Sequence, residues 1–587
     1  MKIETRYHLK QPYINKKKPL FSFCLIIILC ISLIGGCGRK ESFEEFVDRL
    51  FKDEVTSNSI NLHFTLENPK SYGIDEYEVT FGDFSKKGRT EQIEATKKAK
   101  LSLLSYPYLT LSDEDKLTYE ILSDYLDTSL KLWDYELYME VLSPNNGLQI
   151  QLPILMAEYK FTSEKDVTDY LELLALADDY YKQIIDFEKE KAAAGLFMSD
   201  TACKDVIESC ESFLSTQDNS FMVSTFEKRL SNVEGLSEDQ KQQYINKNAS
   251  ILKDQFFPAY DYLITELTSL LGSGTNDLGL CYYDQGIEYY ELLVYSETGC
   301  NHDIEEIFNA IDESRNQALI ACAALREKDS SIIDKCSSLE WQMEDPAAML
   351  TLLQKKILED FPNAPKTTYE IYYVDEALED FLAPAFYITA PIDNYSKNSI
   401  YINNSSMYTD IYYFTTLAHE GYPGHLYQTV YSYDSGLAPI RSILDYSGYV
   451  EGWATYVEQL SYHYADIDAD VASFLSYNQA ATLSLYASSD IGLHYYGWTL
   501  EDMYNFWKSY GISDEAVIKD IMNYILSEPG TYLSYYVGYM EFLDLKEHAE
   551  ELYGDEFSLK EFHKAVLEIG PAPFHIIEKY LPEYYEQ

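Results

Sequence analysis

Apolar residues recur along this chain at helical intervals. Phe43, Phe46, Val47, Leu50 and Phe51 fall at i, i+3, i+4, i+7 and i+8, which lines one face of a helix. Residues 166–191 continue the pattern, with Thr162 and Ser163 as a start signal and Gly195 as a stop. Residues 238–271 predict one or two further helices. The stripes are expected to be core and to carry no chemistry. Two stretches depart from the period. Residues 147–155 (GLQIQLPIL) and 368–374 (TYEIYYV) predict short strands, the second on its aromatic and β-branched content. Residues 272–279 (GSGTNDLG) predict a loop, and with it a boundary between a helical lobe over 37–275 and a second over 276–587. The expected fold is mostly α, a large two-lobed helical body with a few short strands.

Composition narrows the partners. The chain has 587 residues and a formal net charge of -52, and removing the basic first 36 residues makes the remainder more acidic still. Such a surface repels phosphate backbones, so nucleic acid is not an expected partner. Disorder is the other reading of high charge, but 46% hydrophobic residues and 55 tyrosines supply enough buriable surface for a core.

The amino terminus predicts an address. Lys16, Lys17 and Lys18 precede an apolar run from Leu20 to Ile34, the length of a signal-peptide core and short for a membrane span. The run ends in Gly35-Gly36-Cys37. This order resembles a bacterial lipoprotein signal over residues 1–36, which implies cleavage before Cys37 and lipid on its sulfur. Acyl chains insert at about 0.8 kcal/mol per methylene, so a multiply acylated Cys37 predicts an extracytoplasmic protein anchored to the cell membrane. Six cysteines follow: Cys203, Cys210, Cys281, Cys300, Cys322 and Cys336. Their even number permits disulfides. Cys203 and Cys210 pair only if the chain breaks between them, because on one helix they stand about 10 Å apart by rise alone.

The densest chemistry lies in residues 415–428, TTLAHEGYPGHLYQ. His419, Glu420 and His425 sit there at the end of an apolar helical run over 408–418. Two imidazoles and an adjacent glutamate predict a zinc site in which the glutamate activates water. The spacing strains that reading. His419 and His425 are six apart, about 600° on a regular helix, so they would point about 120° from each other. Pro423-Gly424 relieves it: proline lacks the backbone donor and glycine accepts unusual torsions, so the helix breaks and His425 swings back. A third ligand is expected in YVEGWATYVE. Glu451 and Glu458 are two turns apart on one helical face, with the small Ala454 and Thr455 between them. One carboxylate would bind the metal and the other would orient a ligand.

HEGYPGHLYQ followed by EGWATYVE resembles the bacterial family called domain of unknown function 885. That family is similar to gluzincin-type zinc peptidases, mostly helical enzymes with a deep cleft. Residues 149–200, 490–498, 529–538 and 561–570 extend the resemblance over nearly all of the mature chain. It implies His419, His425 and Glu451 as ligands of one Zn2+ and Glu420 as general base.

The oxyanion formed by water attack needs a donor besides the metal, and Tyr535 and His494 are the candidates. Arg441 is a weaker candidate, as an anchor for a substrate carboxylate. His563 is expected to be structural. The sequence therefore predicts a zinc hydrolase, foremost a peptidase acting on a peptide or small amide substrate outside the cytoplasm. Hydrolysis of another amide or ester, and a non-catalytic peptide-binding lipoprotein, are the rival readings.

Overall fold

A computed structural model of the chain describes residues 41–585, apart from 342, 344, 375–378, 380, 381 and 405–410. The signal segment 1–36, Cys37 and the start of the 408–418 run lie outside the described residues. The helical stripes form as their caps dictate. Ser42 and Glu45 make a reciprocal capping box that starts helix Phe43–Thr56, which buries Phe43, Phe46, Val47, Leu50 and Phe51. Ser163 and Asp166 do the same for helix Glu164–Ala194, and Gly195 at φ +76° ends it in a left-handed cap. The 238–271 stretch holds helices Glu238–Ile251 and Phe257–Leu270 joined by a π-helical turn.

The fold is mostly α, with three short strands among the described residues. The strand expected at 368–374 is β1, Thr368–Tyr373. It pairs parallel with β3, Lys397–Ile402, which pairs antiparallel with β2, Ala385–Ile388, giving the order β1-β3-β2. The strand expected at 147–155 is instead part of helix Leu148–Glu158. Its alternating start fitted a strand, but Leu152 through Ala157 are buried in succession, and a helix buried around its circumference carries no periodic stripe.

Apolar packing does not divide at residue 275. Phe46, Leu50, Leu117 and Ile121 share one core with Met349, Trp453, Phe542 and Phe562. A second core gathers residues of 142–267 with Phe386 and Ile388, and a third joins Tyr290 and Ile311 to Trp507 and Leu533. The six cysteines are free thiols, and Cys203 and Cys210 lie on one unbroken helix, Asp200–Ser215. Among the described residues, no helix is long and apolar enough to cross a membrane.

Candidate metal centre

The helix Ile411–Glu420, here the motif helix, carries His419 and Glu420 at its last turn. It stops there, and a new helix, His425–Asp434, opens on His425. Pro423 offers no amide hydrogen to continue the first helix. Gly424 instead folds back: its N–H donates to Ala418 O at 2.9 Å. The approach is so close that a Cβ at Gly424 would fall 1.8 Å from His419 O. Trp453 fastens the break by donating its indole N–H to Pro423 O at 2.9 Å. The result is the geometry the spacing required. The His419 and His425 rings meet at 88° with centroids 4.7 Å apart.

Helix Ser447–Ser461, the carboxylate helix, brings Glu451 and Glu458 to the two sides of His419. Glu451 Oε2 lies 3.5 Å from His419 Nε2 and 3.6 Å from His425 Nε2. Glu458 Oε2 lies 3.2 Å from His419 Nδ1. Gln479 Nε2 donates to Glu458 Oε1 at 2.6 Å, so the orienting carboxylate is itself held. Helix Thr531–Tyr553, the tyrosine helix, crosses the carboxylate helix at a glycine contact. A Cβ on Gly452 would come 2.4 Å from the Gly538 backbone. That crossing sets the half-buried Tyr535 with its ring nearly parallel to His419, centroids 6.2 Å apart. From the other side, β2 reaches Glu420: Tyr387 N–H donates to Glu420 Oε2 at 2.9 Å.

These residues fit a divalent metal. Among the described residues Glu451 Oε2 is buried and accepts no hydrogen bond, although two imidazole nitrogens face it. Donors on a tetrahedral zinc at about 2.0–2.1 Å stand about 3.3 Å apart, close to the spacings seen. Ligand atoms of His419, Glu420 and His425 also lie within 4.8 Å of one another. Two imidazoles and a carboxylate are a donor set that suits zinc. Burial opposes the charge on Glu451, but the facing imidazoles of His425 and His419 outweigh it and hold its carboxyl well below the usual range. Burial likewise opposes charge on His419, and Glu451 and Glu458 together override it and raise its affinity for a proton. For Glu420, burial dominates its histidine neighbours, and its pKa is raised.

A cavity of about 820 Å³ opens onto this cluster. Ser143, Asp205 and Phe213 line it from the first half of the chain, and Tyr412, Thr416 and Tyr524 from the second. His419, Glu420, Glu458 and Tyr535 are part of its wall.

Two of the sequence candidates do other work. His494 also lines the cavity, but both ring nitrogens are committed. Nδ1 accepts from Leu280 N–H at 3.2 Å, and Nε2 donates to Ile525 O at 3.0 Å. Burial lowers its pKa to about 4, so it stays neutral with no N–H left to donate into the cleft. It is a wall residue and not an oxyanion donor. Arg441 is buried outside the cavity lining and donates to the carbonyls of Ile569 and Pro571, so it anchors no substrate. His563 is structural, bonded to Asp360 O at 2.7 Å and to Tyr456 Oη at 2.9 Å. Sequence reasoning missed Gln479 and Tyr387. Tyr387 contributes a backbone N–H, which leaves no trace in residue type, and Gln479 is one more polar residue in a long helix.

A family model described as "Bacterial protein of unknown function (DUF885)" matches residues 68–581. Two solved structures share the fold. A protein from Colwellia psychrerythraea, described as a candidate lipoprotein, matches with a TM-score of 0.81 at 19% identity, over 93% of this chain and 100% of that one. A second, from Shewanella oneidensis and described as a candidate lipoprotein of unknown function, matches with a TM-score of 0.62 at 17% identity, over 92% and 100%. No curated protein matches the chain.

Proposed function

We propose that this chain, which belongs to the DUF885 family of bacterial proteins, is a zinc-dependent hydrolase that cleaves peptides outside the cytoplasm. The observation that carries the reading is the convergence of His419, His425 and the unbonded Glu451 Oε2 beside a cavity of about 820 Å³. Zinc, when bound, supplies Lewis acidity and lowers the pKa of water. His419, His425 and Glu451 would hold it. Glu458 accepts a hydrogen bond from His419 Nδ1, which would leave the Nε2 lone pair free to ligate. Glu420 takes the proton of the attacking water and passes it to the leaving nitrogen. Its buried carboxyl, with raised proton affinity, suits both halves of that transfer. The Tyr535 hydroxyl donates to the developing oxyanion. A cavity walled from both halves of the chain has room for an extended substrate, which favours peptides over a compact ester.

Metal-replete protein is therefore expected to cleave members of a broad peptide library. Glu420→Gln is expected to lower turnover by about 10²–10⁴-fold while zinc content stays at wild type. Absence of any peptide cleavage, or turnover unaltered by the substitution, defeats the reading. Products from non-peptide amides or esters alone would reassign the substrate. The Lys-rich start, short apolar run and Cys37 support a lipid anchor, as do the descriptions of the two structural neighbours. Labelled fatty acid is expected on the wild-type protein and absent from Cys37→Ser; label on both removes the anchor.

A further inference from the structure

We propose that Cys300, His302 and Glu541 form a second metal site, of the class that takes zinc, remote in sequence from the first and independent of the hydrolase reading. Ligand atoms of the three residues lie within 4.8 Å of one another. The site is assembled from two elements. Helix Gly286–Thr298 ends at Gly299, whose φ of +66° turns the chain sharply into a short link. Cys300 and His302 lie on that link, and Asp303 caps the next helix, Ile304–Lys328. Glu541 comes from the tyrosine helix, with Asp544 one turn further along it.

Cys300 is 2% exposed, and its thiol sits in reach of both the His302 imidazole and the Glu541 carboxylate. His302 is largely exposed and also faces Glu306 at 3.3 Å. Other thiols differ. Cys203, Cys281 and Cys322 turn toward backbone carbonyls at 3.6–3.9 Å. Cys300 is grouped with an imidazole and a carboxylate.

Thiolate with imidazole selects zinc-like ions over calcium or magnesium. On binding, the Cys300 S–H bond breaks, its proton leaves to solvent, and a metal–sulfur bond forms. The ion would pin the 299–303 link to the tyrosine helix, six residues or about 9 Å along it from Tyr535.

The test uses the full mature chain stripped of metal and titrated with Co2+. A thiolate-to-cobalt charge-transfer band is expected in the near ultraviolet. It is expected to persist in the His419→Ala, His425→Ala double variant and to vanish in Cys300→Ser, with one zinc per chain fewer than wild type after reconstitution. Glu541→Gln keeps the thiol and the side-chain shape, and is expected to weaken the band's midpoint by about tenfold or more. No band in wild type, an undiminished band in Cys300→Ser, or an unmoved midpoint in Glu541→Gln overturns the second site. None of these outcomes bears on peptide cleavage, which reports the first.

Discussion

In the proposed centre Glu458 acts through His419 and not by ligation. Its Oε2 lies 3.2 Å from Nδ1, while the opposite ring nitrogen faces Glu451. A carboxylate on Nδ1 fixes the tautomer and the ring plane, and raises the basicity of Nε2. Gln479 holds that carboxylate in turn, at 2.6 Å. Replacing Glu458 by Ala leaves all three proposed ligands in place but frees the ring. Zinc affinity is expected to fall by about 10–100-fold, measured by competition with a chelator of known strength. An affinity equal to wild type would show that packing alone orients His419. Glu458→Gln should lose less, because an amide oxygen still accepts from Nδ1–H. Arg441 and His494 show the limit of residue type. Each is a plausible ligand-facing side chain by identity, and each is spent on carbonyls from distant segments.

At the scale of elements, the centre depends on two close backbone approaches. One is the break at Pro423-Gly424, which turns a six-residue spacing into facing rings. The other is the crossing of the carboxylate and tyrosine helices at Gly448, Gly452 and Gly538. A methyl group at Gly538 would lie 2.2 Å from Gly448 O and 2.8 Å from Gly452 Cα. Both are helix backbone and cannot rotate away, so Gly538→Ala must separate the helices. Overpacking of this kind costs about 1–3 kcal/mol. The displaced helices carry Glu451 and Tyr535, so zinc affinity should fall along with the melting temperature. A melting temperature lowered with affinity intact would separate this crossing from the centre. The break was legible in the sequence because proline and glycine act locally. The crossing was not, since Gly538 sits 86 residues from Gly452 and nothing local pairs them. The Leu148–Glu158 helix escaped for a related reason: neighbours on every side bury it, so its pattern carries no face. Helices with one wet face, such as Glu164–Ala194, announced themselves.

At the scale of the whole molecule, the chain's early helices are completed by its late ones. Phe46, Leu50, Leu117 and Ile121 pack with Met349, Trp453 and Phe562. Polar ties run the same way: Tyr446 Oη donates to Ile121 O at 3.1 Å, Tyr295 Oη to Asp124 at 2.5 Å, and Lys579 meets Glu120 at 2.6 Å. Cutting at the 272–279 loop therefore removes the cover from the first core and not only from the cleft. Each large apolar side chain so exposed costs about 1.5–3 kcal/mol. Four of them already match the roughly 5–15 kcal/mol by which a native domain is stable. A fragment of residues 37–275 is thus expected to bind a hydrophobic dye and to melt without a cooperative transition, although the 142–267 core keeps it helical. Adding the 276–587 fragment should restore a single transition and suppress the dye signal. A lone 37–275 fragment that melts sharply and binds no dye would mean that the early helices find cover among themselves. The cleft would then be a seam between two independent bodies, free to open by hinging. Shared packing predicts the opposite: the proposed metal centre and both cavity walls stand or fall in one transition, and chelating the zinc proposed for His419, His425 and Glu451 should lower the melting temperature of the whole chain and not of one half.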